Sequence, residues 1–134
     1  LYIGCPFFAI HISGFLFSEE EFFWFFIENL LKKGFSYEIS EGLYSLISEF
    51  KNLKFTKIDA RCRDIYITND NKIMVIDPKQ CYSKKVNYPR HLMKGLEKIG
   101  VLESFLEDMR VINKKSAMEW EKRYNQYLQN RDVE

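Results

Sequence analysis

Two short apolar runs separated by a turn-rich segment constrain the fold of this chain more than any other feature. The runs span residues 65–67 (Ile-Tyr-Ile) and 73–76 (Ile-Met-Val-Ile), and residues 68–72 between them read Thr-Asn-Asp-Asn-Lys. Asn and Asp are favoured in tight turns, and short β-branched runs are typical of strands. The pattern predicts a β-hairpin.

Three aspartates accompany this hairpin. Asp64 directly precedes the first run, Asp77 directly follows the second, and Asp59 lies five residues before Asp64. A hairpin brings the ends of its two strands together, so these carboxylates are expected to meet around a cation. Grouped carboxylates suit Mg²⁺ and phosphate chemistry, because hard cations take oxygen ligands. Any one aspartate alone is better interpreted as a turn residue, and the joint spacing favours a site.

Size, charge and cysteine content narrow the class of protein. The 134 residues are enough for one domain with a core, and the net charge of +1 gives no field that would attract nucleic acid or an anionic membrane. Three widely spaced cysteines without a CxxC pair predict neither a disulfide framework nor a zinc site, and they favour a cytoplasmic setting. No apolar segment reaches the roughly 20 residues of a membrane-spanning helix. Because the chain begins at Leu1, we expect a piece of a longer protein.

The N-terminal half is expected to hold one strand and two helices. Residues 7–12 form a β-prone run, and residues 18–33 form a helix that begins with the capping box of Ser18 and Glu21. Its interior is apolar nearly all round, which implies burial on more than one side. An apolar stripe at helical spacing predicts the second helix over residues 37–50.

Three further helices are predicted after the hairpin. The first has Pro89 at its first helical position and ends at Gly100, and the second runs over residues 101–112. The third is expected to start with the capping pair Ser116 and Glu119 and to pack one face on the body. The order of elements indicates an α+β fold that is mainly α.

The aspartate pattern resembles two loops of the protein-kinase-like superfamily. The chain reads Asp59-x-Arg61-x-x-Asp64-Ile-Tyr-Ile, followed by Val-Ile-Asp77. The family's usual catalytic loop is Asp-x-Lys-x-x-Asn-hydrophobic, and its metal-binding loop is hydrophobic-Asp-Phe-Gly, often at the same spacings of five and eighteen residues. The resemblance is closest to small bacterial serine/threonine kinase-like proteins.

The resemblance covers nearly the whole chain as a C-terminal lobe. Residues 1–14 look like the last strand and the hinge that line the adenine pocket, with the backbone of Ile10 and Ile12 as the contact to ATP, and residues 15–134 look like the helical lobe. A glycine-rich loop and a Val-Ala-Ile-Lys strand do not precede the hinge in this sequence. The resemblance therefore implies that the N-terminal lobe is absent from this chain.

The resemblance also implies a role for each residue of the motif. Asp59 would be the catalytic aspartate that orients the attacking hydroxyl or accepts its proton, and Arg61 would steady the γ-phosphate of ATP. Asp64 and Asp77 would be the ligands of Mg²⁺. The acceptor would be an unidentified protein or small molecule with a hydroxyl group.

Departures from the family pattern keep a second interpretation open. Lys57-Ile58 replace the usual residues before the catalytic aspartate, and Pro78-Lys79 replace Phe-Gly after the metal aspartate. The alternative is a pseudokinase or interaction module without phosphoryl transfer. In that case the apolar helix at residues 22–31 is the expected surface for a partner chain or for the missing N-terminal lobe.

Three other residues that can carry chemistry receive structural interpretations. Cys62 lies between two arginines, which can lower a thiol pKa, and a structural role is favoured because it occupies the position of a proline in the family. His11 is interpreted as a packed or hinge-lining residue, and His91 as a solvated residue on a helix.

Overall fold

A computed structural model of the chain describes residues 30–32, 34–67, 73–75 and 82–133. Within them lie, in chain order, α1 (Tyr37–Asn52), a 3₁₀ turn (Cys62–Asp64), β1 (Ile65–Ile67), β2 (Ile73–Val75), α2 (Arg90–Ile99), α3 (Leu102–Ile112) and α4 (Lys114–Val133). The predicted α+β, mainly α organisation is confirmed for these residues. The strand predicted at 7–12 and the helix predicted at 18–33 lie outside the described residues, except for residues 30–32, which are helical.

The predicted hairpin is present. Strands β1 and β2 pair antiparallel, with Ile65 opposite Val75 and Ile67 opposite Ile73. These four side chains are buried, whereas the alternate residues of the two strands are half-buried, as the two-residue period of a strand requires. One face of the hairpin therefore belongs to the core.

Helix α1 supports that buried face. Ser36 caps the helix through its side chain, and the predicted apolar stripe is buried along its length. At Gly42 an added Cβ would collide with the side chain of Ile73, so only glycine lets the hairpin lie this close to the helix. The glycine that lowers the helix propensity of α1 is thus explained by packing.

The boundaries of α2 and α4 differ slightly from the predicted ones. Pro89 precedes α2 instead of occupying its first position, and Gly100 ends the helix in the left-handed conformation with φ 92°. Helix α4 begins at Lys114, and the side chain of Asn113 accepts a hydrogen bond from the Ser116 backbone N–H. Asn113, and not Ser116, is therefore the cap, because its amide oxygen reaches the third residue of the helix.

The helices enclose one apolar core. Helix α3 packs between α1 and α4, and α2 packs on α3. Phe105 on α3 stacks on Trp120 of α4, with 6.5 Å between ring centroids. The buried residues that the helices contribute include Leu43, Leu46, Ile47, Phe50, Leu92, Met93, Leu96, Phe105, Met109, Ala117, Trp120 and Tyr124. No helix within the described ranges combines the length and apolar character needed to cross a membrane.

The segment before α2 runs beside the segment after α1. Lys57 and Val86 form a parallel bridge, in which the Ile58 N–H donates to the Val86 carbonyl at 2.7 Å. The Thr56 hydroxyl donates to the Lys84 carbonyl at 2.9 Å, which extends this contact by two residues. The bridge brings the N-terminus of α2 against Asp59.

Candidate functional site

Asp59 lies at the centre of the candidate site, and it is buried. Its side chain has no solvent exposure. It follows directly after the bridge between residues 57 and 86 and precedes the 3₁₀ turn. A carboxylate removed from water in this way needs hydrogen-bond donors for its oxygens.

Backbone donors from the start of α2 supply those bonds. The His91 N–H donates to Oδ2 of Asp59 at 2.9 Å, and the Leu92 N–H donates to Oδ1 at 3.2 Å. The Ala60 N–H donates to Oδ1 at 2.8 Å. His91 and Leu92 are the second and third residues of the helix, the positions that an N-cap side chain normally reaches.

Asp59 is therefore a long-range N-cap for α2. Pro89, the residue at the cap position in the chain, makes no side-chain capping bond. A carboxylate at this point also complements the positive end of the helix dipole. The hydrogen bond from the His91 N–H to Asp59 spans 32 residues of sequence, and it joins the predicted catalytic loop to the helix that follows the hairpin.

The imidazole of His91 is the fourth group on this carboxylate. Its Nδ1 lies 2.7 Å from Oδ2 of Asp59, while the imidazole side chain is about one-third exposed. We predicted a solvated His91, and that prediction was wrong, because the ring is held against Asp59. A carboxylate accepts hydrogen bonds and donates none, so Nδ1 carries a proton in this pair.

Arg61 and Asp64 form an ion pair with each other. Arg61 Nε lies 2.8 Å from Oδ2 of Asp64, and a terminal guanidinium nitrogen lies 3.4 Å from Oδ1. Both side chains are partly exposed, Arg61 by 33% and Asp64 by 17%. Both carboxylate oxygens of Asp64, a predicted metal ligand, thus face the guanidinium group of Arg61, whose forked donors suit a carboxylate.

Cys62 lies in the turn between these charged groups and contacts α2. Its thiol donates to the Leu92 carbonyl at 3.6 Å, and an added Cβ at Gly95 would collide with its sulfur. Burial is the main cause that raises the pKa of the Cys62 thiol to about 12, and the charges of Asp59 and Asp64 contribute to the same rise. This favours the structural interpretation, since a thiol with a raised pKa is not a nucleophile near neutral pH.

The predicted site residues are only partly brought together by the described structure. Asp59, Arg61 and Asp64 lie in one short loop that packs on the N-terminal half of α2. Asp77, Ile10 and Ile12 lie outside the described residues. Among residues 30–32, 34–67, 73–75 and 82–133, no group of three or more His, Cys, Asp or Glu side chains is arranged to hold a metal ion.

Sequence reasoning missed the pair of Asp59 and His91, although one signal for it exists. Residues 87–89 (Asn-Tyr-Pro) lead into α2, and the residue at the cap position, a proline, cannot cap a helix with its side chain. A helix that starts without its own cap takes its acceptors from water or from elsewhere in the chain. The sequence does not say which of its carboxylates supplies that acceptor.

Comparisons with known proteins give no assignment for this chain. Neither a protein-family model, nor a curated protein, nor a solved structure matches it.

Proposed function

We propose that this chain is the C-terminal lobe of an ATP- and Mg²⁺-dependent phosphotransferase of the protein-kinase-like type, which acts on a hydroxyl group of a protein or a small molecule. The observation that carries the proposal is the register of the hairpin. Ile65, which follows Asp64, pairs with Val75, which lies two residues before Asp77. In the sequence, Asp64 directly precedes one residue of this pair and Asp77 follows the other by two positions.

The surroundings of the hairpin support the same proposal. Helix α1 leads into the loop that carries Asp59, and the 3₁₀ turn that carries Asp64 leads directly into β1. This is the order that the resemblance implies for the catalytic loop, the hairpin and the metal-binding loop. We also propose that the protein is cytoplasmic, because its widely spaced cysteines do not predict a disulfide framework.

The chemistry of Asp64 fits Mg²⁺. Its carboxylate supplies hard oxygen donors, and the guanidinium of Arg61 neutralises it in the described structure. When bound, Mg²⁺ would neutralise charge on the phosphates of ATP. With Asp64 on the metal, Arg61 would be available to a phosphate oxygen, for which its planar donor fork is well suited.

The test uses the protein in its full natural length, with Mg²⁺-ATP as ligand and ATP turnover to ADP as readout. Asp77→Ala and Asp64→Ala remove the carboxylates and are expected to abolish turnover, whereas Asp132→Ala at the exposed end of α4 is the matched control and is expected to keep it. Asp59→Ala is unsuitable for this test, because the loss of the cap would disturb the fold as well as the chemistry. Equal turnover in the wild type and in both site variants would refute the proposal.

One observation favours the alternative of a pseudokinase or interaction module. The Asp59 carboxylate is fully covered and occupied by four nitrogen groups, and Asp64 is closed by Arg61. A module of this kind keeps the fold and needs no nucleotide. Thermal unfolding with and without Mg²⁺-ATP separates the two functions, since a ligand at 100 times its Kd stabilises the folded state by about 2.7 kcal/mol. No shift at saturating nucleotide would favour the module.

A further inference from the structure

The pair of Asp59 and His91 combines a buried carboxylate with a partly exposed imidazole. Asp59 has no exposed side-chain surface, so a substrate hydroxyl does not reach its oxygens in this arrangement. His91 bonds to Asp59 through Nδ1, and about one-third of its side chain faces solvent. The structure records no hydrogen bond from a described residue to its second ring nitrogen, Nε2.

This arrangement fixes the tautomer of the neutral ring. The proton lies on Nδ1 and points to Oδ2 of Asp59, which leaves the lone pair of Nε2 free to accept a proton. A buried carboxylate that orients an imidazole in this way also stabilises the imidazolium that forms when the ring is protonated.

His91 lies near the start of the helix against which the turn with Asp64 packs. It is the second residue of α2, and the turn that holds Asp64 packs on the same helix, with the Cys62 thiol bonded to the carbonyl of Leu92. His91 and Asp64 thus lie on two segments that contact each other directly.

We propose that His91, oriented by Asp59, is the group that accepts the proton of the attacking hydroxyl. This inference rests on the proposed phosphotransferase function and changes the role of one residue within it, since Asp59 becomes a positioning residue. The hydroxyl oxygen bonds to the γ-phosphorus of ATP as the bond from that phosphorus to the leaving ADP oxygen breaks. The hydroxyl proton moves to Nε2 of His91, and the imidazolium later releases a proton to water.

Other titratable groups near the pair bear on its pH dependence. Asp59 is in direct contact with the ring, and Arg90 is the preceding residue of the helix. Burial is the main cause of the raised pKa of the Tyr88 phenol. The charge of Arg90 lowers this pKa, and the charge of Asp59 raises it. Cys62 has its pKa raised to about 12 and stays neutral near pH 7.

The decisive variant is His91→Gln in the protein of full natural length. The cap on α2 uses the backbone N–H of residue 91, which this substitution leaves in place. We expect ATP turnover to ADP to fall about 100-fold or more, the usual contribution of general acid–base catalysis, with the unfolding midpoint and the KM for ATP nearly unchanged. Lys94→Gln, at an exposed position of the same helix, is the matched control and is expected to keep full turnover.

A pH profile and a spectroscopic measurement distinguish a proton acceptor from a merely structural residue. The wild type is expected to lose turnover as pH falls through the titration of one group, and His91→Gln is expected to lack that limb. In ¹H–¹⁵N spectra of the wild type, the His91 ring should show the tautomer with the proton on Nδ1. A wild type that turns over ATP while His91→Gln does so equally well would refute the inference alone, as would a proton on Nε2. A wild type without any turnover would refute the proposed function and the inference with it.

Discussion

Replacing Asp59 with alanine tests the long-range cap on α2. The substitution removes the acceptor of three backbone N–H groups, on Ala60, His91 and Leu92. Loss of a capping side chain alone costs about 1–2 kcal/mol, and each buried donor left without a partner costs about 1–3 kcal/mol. Water that enters the vacated space recovers part of this. We expect the free energy of unfolding to fall by about 3 kcal/mol.

Equilibrium unfolding in urea, followed by far-UV circular dichroism, measures this loss. With a slope of about 1.5 kcal/mol per molar urea for a chain of this size, the midpoint should fall by about 2 M. Asp59→Asn keeps one oxygen acceptor and should lose less. Asp132→Ala removes an exposed carboxylate, 3.9 Å from Arg131, and should change stability by less than about 0.5 kcal/mol. A loss below about 1 kcal/mol for Asp59→Ala would contradict the capping role.

Four further predictions concern the packing around α2. Gly95→Ala should destabilise the protein by about 1–3 kcal/mol, because the new Cβ collides with the Cys62 sulfur. This loss is expected although alanine is the better helix former. In urea unfolding, the double variant of Gly95→Ala and Cys62→Ala should recover most of the loss. The thiol of Cys62 should resist alkylation at pH 8 until the protein unfolds, as read by mass spectrometry of its peptide, and rapid labelling of the native protein would contradict its burial. Burial is the main cause that raises the pKa of this thiol from 9.0 to about 12 in the folded state, so the folded protein holds this proton more tightly than the unfolded chain. The stability that depends on the protonated thiol is complete below pH 9 and is lost as the pH rises towards 12. Urea midpoints measured across this pH range would detect the loss. Tyr124→Phe removes the hydrogen bond from the buried phenol to Glu97 and should lower the free energy of unfolding by about 1 kcal/mol. Because burial and that bond raise the pKa of Tyr124, the variant should also shift the pH range in which stability is lost at alkaline pH.

The sequence predicted the elements whose signals are local. The stripe of α1 and the two apolar runs of the hairpin each repeat at the period of their own element, and the structure contains both. Gly100 was also predicted as the end of α2, because a left-handed residue after a helix is most easily glycine. These features depend on residues a few positions apart.

The features that the sequence did not reveal depend on pairs that are far apart in the chain. The contacts between Gly42 and Ile73 and between Gly95 and Cys62 explain why glycine stands at two positions within helices. The bond between Asp59 and His91 spans 32 residues and gave the loop aspartate a partner that no local pattern indicated. For the candidate site, the grouping of Asp59, Arg61 and Asp64 in one loop follows from chain order alone. Their hydrogen-bond partners could not be predicted, because these partners depend on which helix packs against that loop.

The cap on α2 also has a consequence for the order in which the chain folds. The N–H groups of His91 and Leu92 gain their acceptor within the chain only when the loop that carries Asp59 has reached α2 across the hairpin. Formation of α2 and this long-range closure therefore stabilise each other. A helix of ten residues is marginal without such contacts. The hairpin, the loop and the start of α2 should therefore open and close as one cooperative unit in hydrogen exchange, with the backbone amides of His91 and Leu92 reporting the integrity of the candidate site.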